Sequence, residues 1–549
     1  MSASSKKKLR REQEAEKLTE RQLTEQKEAK KLKNLTTLFV VVLAAIVVIA
    51  VVAGANQFIT SKGIRENNTV AATIGDHEIS NAELNYFYVD YINNFVNQYG
   101  SYISMFGLDM TKPLNEQVTN EDTGDTWADD FLFSATDNAT TVYALADEAE
   151  AKGFTLSDEE VETVETNLIN MRSYGMIYGY SDLDMYLKAI YGNGASEESY
   201  REYQMKNALA QAYYTAYSEG LTYDDAALRE ADAANPAAYS AFSYNSYYLN
   251  ASAFREGGTK DENGTVTYSD AEIAAGVAAA EKAAKELIAE EIKTAGDLDK
   301  AIGALEIYAD AETAPTSTNY TDVAYNSVIS TIREWVTDSN RKAGDLTYIA
   351  NTSTSTDEDG KETTTTNGYY VVLFNGSGNN VFPLANVRHI LVSFEGGTTD
   401  SNTGVTTYSD EEKATAKAKA EELLAQWKAG EATEASFGEL AIAESTDPGS
   451  ASQGGLYEDV YPGQMVANFN DWCFEDSRKA GDTGIVETDY GYHVMFYVSD
   501  SETNYRDYLI ATELRTNDTN EWYASLIDSM VTETLDTKYL SMDMVLQAG

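Results

Sequence analysis

Val387-Arg388-His389-Ile390-Leu391-Val392 opens the stretch that decides the fold, and Thr488-Asp489-Tyr490-Gly491-Tyr492-His493-Val494 closes it. The first run is apolar and β-branched and reads as a strand; the second reads as a turn at Tyr490-Gly491 that leads into another strand. Between them, Phe437-Gly438-Glu439-Leu440-Ala441 begins a helix that runs into Ser445-Thr446-Asp447. Gly454-Gly455-Leu456 marks a turn, and Gly463-Gln464-Met465-Val466 is followed by Phe469, four residues after Met465. Strand, helices and returning strands make an α+β unit. Two of the chain's three histidines, His389 and His493, fall on its strands, whereas His77 lies beside a hairpin turn and carries no assigned role.

Upstream, the same unit occurs again. Tyr268-Ser269-Asp270 and Tyr408-Ser409-Asp410 each open a helix whose serine has a glutamate three residues later, Glu272 or Glu412, so both begin with a capping box. Glu334-Trp335 through Arg341-Lys342-Ala343-Gly344-Asp345 matches Asp471-Trp472 through Arg478-Lys479-Ala480-Gly481-Asp482 without a gap. Gly368-Tyr369-Tyr370-Val371 then matches Gly491-Tyr492-His493-Val494. Collinear matches of this kind predict two copies of one fold, 236–380 and 381–500. The alignment sets Tyr370 against His493 and Tyr248 against His389, so the first copy lacks both histidines.

The ordered motifs of residues 386–499 resemble the parvulin family of peptidyl-prolyl isomerases. The resemblance implies that His389 and His493 hydrogen-bond each other at the centre of a site and that Thr488 joins them. Asp447 stands where parvulins carry Cys or Asp. Leu456, Met465 and Phe469 match the proline pocket, and Gln464 is expected to donate to the substrate backbone. One departure is Tyr457-Glu458-Asp459-Val460 in place of the usual glycine after the pocket leucine, with a loop counted as one residue longer. Rotation about an amide breaks no bond, so the reaction needs neither cofactor nor metal. The wider layout resembles PrsA-like and SurA-like foldases. That implies a client of unfolded, exported polypeptides; a holdase that grips them without catalysis is the alternative.

Outward from this core, Leu35 to Ala55 is apolar and uncharged, long enough to span a bilayer as a helix. Lys30, Lys31 and Lys33 precede it, so the positive-inside rule puts 1–34 in the cytoplasm and the body outside the cell membrane. An uncleaved single-pass anchor is the expected form; a signal peptide cut at Ala53-Gly54-Ala55 is its rival. Residues 1–34 carry eleven Lys/Arg against six Asp/Glu, and the remainder 29 against 83, within a net charge of −49. An acidic body of this kind repels phosphate backbones, which argues against nucleic acid as a partner. One cysteine, Cys473, excludes an intrachain disulfide.

The expected order is therefore a basic tail (1–34), a transmembrane helix (35–57), a helical SurA-N-like chaperone domain (68–235), a degenerate parvulin-like domain (236–380), a parvulin domain (381–500) and a helical C-terminal segment (501–549) that packs on the chaperone domain.

Overall fold

The computed structural model describes residues 3–356, 360–401 and 403–546. The chain forms two compact units, Met1–Leu221 with Asp518–Gly549, and Thr222–Asn517.

The first unit begins with one long helix, Ala3–Ser61, which contains the apolar run and is the one helix among the described residues long and apolar enough to cross a membrane. A hairpin follows, Val70–Ile74 and His77–Ser80, and Ser80 caps the next helix, Asn81–Tyr99, by accepting from the Glu83 backbone N–H. Helices Trp127–Ala151, Asp158–Ile177, Leu183–Tyr191 and Glu197–Gly220 complete the bundle, the second of them opened by the Ser157/Glu160 capping box. Ile74, Ile79, Leu84, Ile92, Leu114 and Phe131 form its centre. Tyr86 and Tyr88 are buried in that centre as packing residues. The hairpin gains a third strand from far away: Thr532–Thr534 pairs antiparallel with Val70–Ile74, Ala72 opposite Thr534, and Leu540 and Leu546 enter the core.

The second unit holds two four-stranded antiparallel sheets of the same order. In one, Thr318–Ala324, Ala241–Asn250, Glu362–Gly378 and Leu346–Thr356 are neighbours in that sequence; in the other, Leu456–Val460, Pro383–Ser393, Gly491–Asn504 and Thr483–Thr488. One face of each sheet lies under a pair of helices, Asp270–Ala289 with Ala295–Gly303 and Asp410–Ala429 with Glu434–Glu444. Both long helices carry the complete capping box read from the sequence. The recurring Trp…Arg-Lys-Ala-Gly-Asp segment is a shared turn. Arg341 and Arg478 each lie over the preceding tryptophan, 4.4 and 3.9 Å from the ring centroid, and donate to its carbonyl.

Strand register corrects the alignment of the copies. Tyr370 pairs with Tyr248, and His493 pairs with Leu391, so Tyr248 corresponds to Leu391 and Ser246, not Tyr248, stands at the position of His389. The short turn Ala251–Phe254, after the strand, takes up the shift. Two boundaries also move. Residues 222–235 and 501–517 belong to the second unit rather than to the chaperone domain and the C-terminal segment. Arg506 is the reason: its guanidinium meets Asp232, the carbonyls of Pro236, Tyr239 and Asn379, and the Ser240 hydroxyl.

Candidate functional site

Alternation along a strand puts His389, Leu391, His493 and Met495 on the sheet face away from the helices. That face is covered by the short helix Ala467–Cys473, so Phe469 comes down onto both imidazoles edge-on, 5.3 Å from each ring centroid. Met465 packs in the same cluster, half-buried, beside Phe469. Asp447 reaches the site from the loop after the helix Glu434–Glu444.

The polar groups form one chain. Asp447 Oδ2 lies 2.9 Å from His389 Nε2, His389 Nδ1 lies 2.9 Å from His493 Nδ1, and His493 Nε2 lies 2.8 Å from Thr488 Oγ1. The hydroxyls of Ser450 and Tyr457 also donate to Asp447 Oδ2, and the Tyr490 N–H donates to Thr488 Oγ1. A carboxylate only accepts, so His389 Nε2 carries a proton. With neutral His389, its bare Nδ1 accepts from His493 Nδ1–H, and His493 Nε2 accepts from the Thr488 hydroxyl. With charged His389 the direction reverses, and His493 Nε2–H donates to Thr488. His493 is neutral in both arrangements.

That conclusion agrees with its surroundings. Burial, and then repulsion from His389, pushes the His493 pKa down to about 3. Asp447 is held far below the usual carboxylate range, first by the hydrogen bond from His389 and then by that from Ser450, against the opposing effect of burial. The Asp447 carboxylate thus lies under a roof of aromatic and apolar side chains, with the Ser450 and Tyr457 hydroxyls and His389 Nε2–H committed to it.

Seven of the eight residues expected from the sequence converge here or at its rim; Leu456 does not. It pairs with Arg388, whose guanidinium bonds Glu434 on the helical side of the sheet, so Leu456 faces away from the histidines. The neighbouring Tyr457 faces them instead, bonded to Asp447 and stacked over His389 with centroids 5.5 Å apart. Counting from Tyr457 removes the extra residue read into the loop, and a bulge at Glu458–Asp459 takes up the remaining register change. Gln464 is exposed: its side-chain oxygen accepts from the Tyr461 N–H, which leaves its amide nitrogen open to a ligand.

Ser450 and Tyr457 were missed by sequence reasoning. Tyr457 had a signal, because it repeats Tyr320 at the same spacing that relates Trp472 to Trp335. Ser450 had none beyond its nearness to Asp447. The third histidine, His77, pairs with Asp147 in the first unit.

Residues 371–501 match the PPIC-type PPIase domain family, the class that this sheet and its site define. Residues 26–213 match the SurA-like N-terminal domain family. The foldase protein PrsA 1 of Listeria innocua is 32% identical over 120 residues, 22% of this chain and 32% of that protein. The foldase protein PrsA of Staphylococcus epidermidis is 41% identical over 70 residues, 13% of this chain and 20% of its own length. The crystal structure of PrsA from Bacillus subtilis is 14% identical with a TM-score of 0.27, over 76% of this chain and 93% of that one. The sequence matches thus span about a third or less of the relatives' own lengths. The chain thus joins a SurA-like N-terminal domain to a PPIC-type PPIase domain.

Proposed function

We propose that this chain is a membrane-anchored, extracytoplasmic foldase that speeds cis–trans isomerisation of X–Pro bonds in exported polypeptides and holds those polypeptides as they fold. The barrier to be lowered is about 18–20 kcal/mol. No bond breaks, so the residues act by binding the twisted amide better than the planar one. Met465, Phe469 and Tyr457 would seat the proline ring, and Gln464 would donate to the substrate backbone. His389, His493, Thr488 and Asp447 would supply a field fixed in advance, with the Asp447 charge beside the rotating amide. The observation that carries this reading is the closed chain Asp447–His389–His493–Thr488 directly beneath Phe469.

The first copy supports the holding role. On its equivalent face Tyr248 and Tyr370 meet with ring centroids 4.7 Å apart, with Ser246 and Tyr370 in the places of the two histidines. We assign it to peptide contact without catalysis. The anchor reading rests on the apolar run within Ala3–Ser61 and the basic residues before it.

The test is an NMR exchange assay on a short X–Pro peptide with the full chain, beside His493→Ala and Met465→Ala. Both variants should slow exchange by about tenfold or more, the equivalent of one 1.4 kcal/mol interaction in the transition state. A folded wild-type chain that gives no acceleration would leave holding as the function.

A further inference from the structure

In the first unit, the helix Asp158–Ile177 and the helix Leu183–Tyr191 meet at a corner whose side chains are apolar and bare. Tyr174, Ile177 and Tyr178 lie on one helical face at i, i+3 and i+4, and Ile177 and Tyr178 are 77% and 72% exposed. Met176 and Met185 nearby in the two helices are exposed as well. The corner is rigid. Tyr186 packs so closely on Gly175 that a Cβ there would sit 3.0 Å from its ring, and the Tyr178 and Tyr186 rings lie parallel, 6.4 Å apart. A soluble surface rarely leaves such a cluster uncovered without a use.

Its position says what covers it. Lys188, one turn beyond Met185 on the same helical face, reaches the carbonyl of Ser61, the last residue of the long N-terminal helix. The next loop is locked to the residues that follow Ser61: Asn67 donates to the Gly194 carbonyl, and a Cβ on Gly63 would fall 2.3 Å from the Asn193 oxygen. Ser61 lies only six positions beyond Ala55, where the apolar run ends, which is about 9 Å of helix. Headgroups extend roughly 5–7 Å beyond each side of the hydrocarbon core. Side chains seated on Ser61 therefore stand at the outer edge of the bilayer.

We infer that the corner formed by Tyr174, Met176, Ile177, Tyr178 and Met185 is a lipid-docking face that lies against the outer leaflet beside the anchor. The inference rests on the anchor reading above. The composition fits: tyrosines favour the headgroup level, and Ile and Met dip below it. The anchor then holds the unit to the bilayer at two places, so the chaperone domain is oriented rather than tethered on a swivel.

The test uses the full chain in vesicles of phosphatidylcholine and phosphatidylglycerol, in a Cys473→Ala background, with an environment-sensitive fluorophore on one introduced cysteine. Labels go on Ile177→Cys, on Ala44→Cys inside the apolar run, and on Glu162→Cys, about 22 Å along the same helix from Ile177. Lipids carrying a quencher near the headgroup should quench the label at 177 and spare that at 162, and lipids carrying one near the end of the acyl chain should quench that at 44. A Tyr174→Asp/Tyr178→Asp pair should abolish quenching at residue 177 and leave residue 44 unchanged. Quenching at 44 without quenching at 177 overturns the docking face while the anchor stands; no quenching at either removes the anchor and the inference together. A label at 177 that ignores lipid but responds to an added unfolded polypeptide assigns the corner to clients and overturns the inference.

Discussion

The two sheets of the second unit share their strand order, helix caps and Trp–Arg turn, and differ in the polar side chains on the face away from the helix pair. The second copy lays out His389, His493, Asp447 and Thr488; the first has Ser246, Tyr370 and Asn351 at the positions of His389, His493 and Thr488. The Tyr248 hydroxyl accepts from Asn351, an aromatic and amide surface in place of a charged chain. Tyr320 stacks on Tyr244, whereas its counterpart Tyr457 turns to Asp447. One scaffold thus supports two chemistries, because the strands fix where side chains point and leave open which they are.

The scaffold itself should respond identically in both copies, and this is where the largest effect lies. A Cβ on Gly491 would fall 2.2 Å from the Val392 oxygen, and one on Gly368 would fall 2.3 Å from the Leu249 oxygen. Alanine at either position should cost more than about 3 kcal/mol and unfold its own copy. Hydrogen exchange resolved by segment would reveal this; tolerance of Gly368→Ala alone would break the equivalence.

The site substitutions should separate the copies. Tyr457→Ala should lower the isomerisation rate about tenfold, whereas Tyr320→Ala and Leu456→Ala should leave it near wild type. Loss of rate in Leu456→Ala with Tyr457→Ala unaffected would restore the leucine to the pocket.

A smaller effect comes from pH. Because burial holds the His493 pKa at about 3 against an ordinary 6.5, the unfolded chain takes up a proton there that the folded chain refuses. The stability from this group is complete above pH 6.5 and is lost as the pH falls from there toward 3. The loss one unit below 6.5 should be about 1 kcal/mol. Urea unfolding of wild type and His493→Gln at the two pH values would show it as a difference in slope; equal slopes would mean that His493 titrates as freely as in the unfolded chain.

Much of this was legible in the residues. Repeats and capping boxes led to the architecture, and the resemblance to parvulins led to seven of the residues gathered at the candidate site. What escaped was parity. Leu456 and Tyr457 are neighbours, yet a strand sends them to opposite faces, so a one-residue error in register exchanges pocket for scaffold. The pairing of Tyr248 with His389 failed differently: Ser246, the true counterpart, lies two residues away on the same face, and the turn Ala251–Phe254 absorbs the difference. The boundaries at 235 and 501 were misplaced because one guanidinium, Arg506, gathers partners more than 260 residues upstream, and no local pattern announces such a contact.

The strand Thr532–Thr534 completes a sheet begun at Val70–Ile74. During synthesis the N-terminal part appears first, and its sheet edge has no partner until the rest has been made. Closure across that interval is slow, since a contact this distant in sequence must wait for its loop. An arrested or clipped chain would expose the unpaired edge, the kind of surface on which strands from other chains add. The chain thus carries its own requirement for timing, and its first domain is finished last.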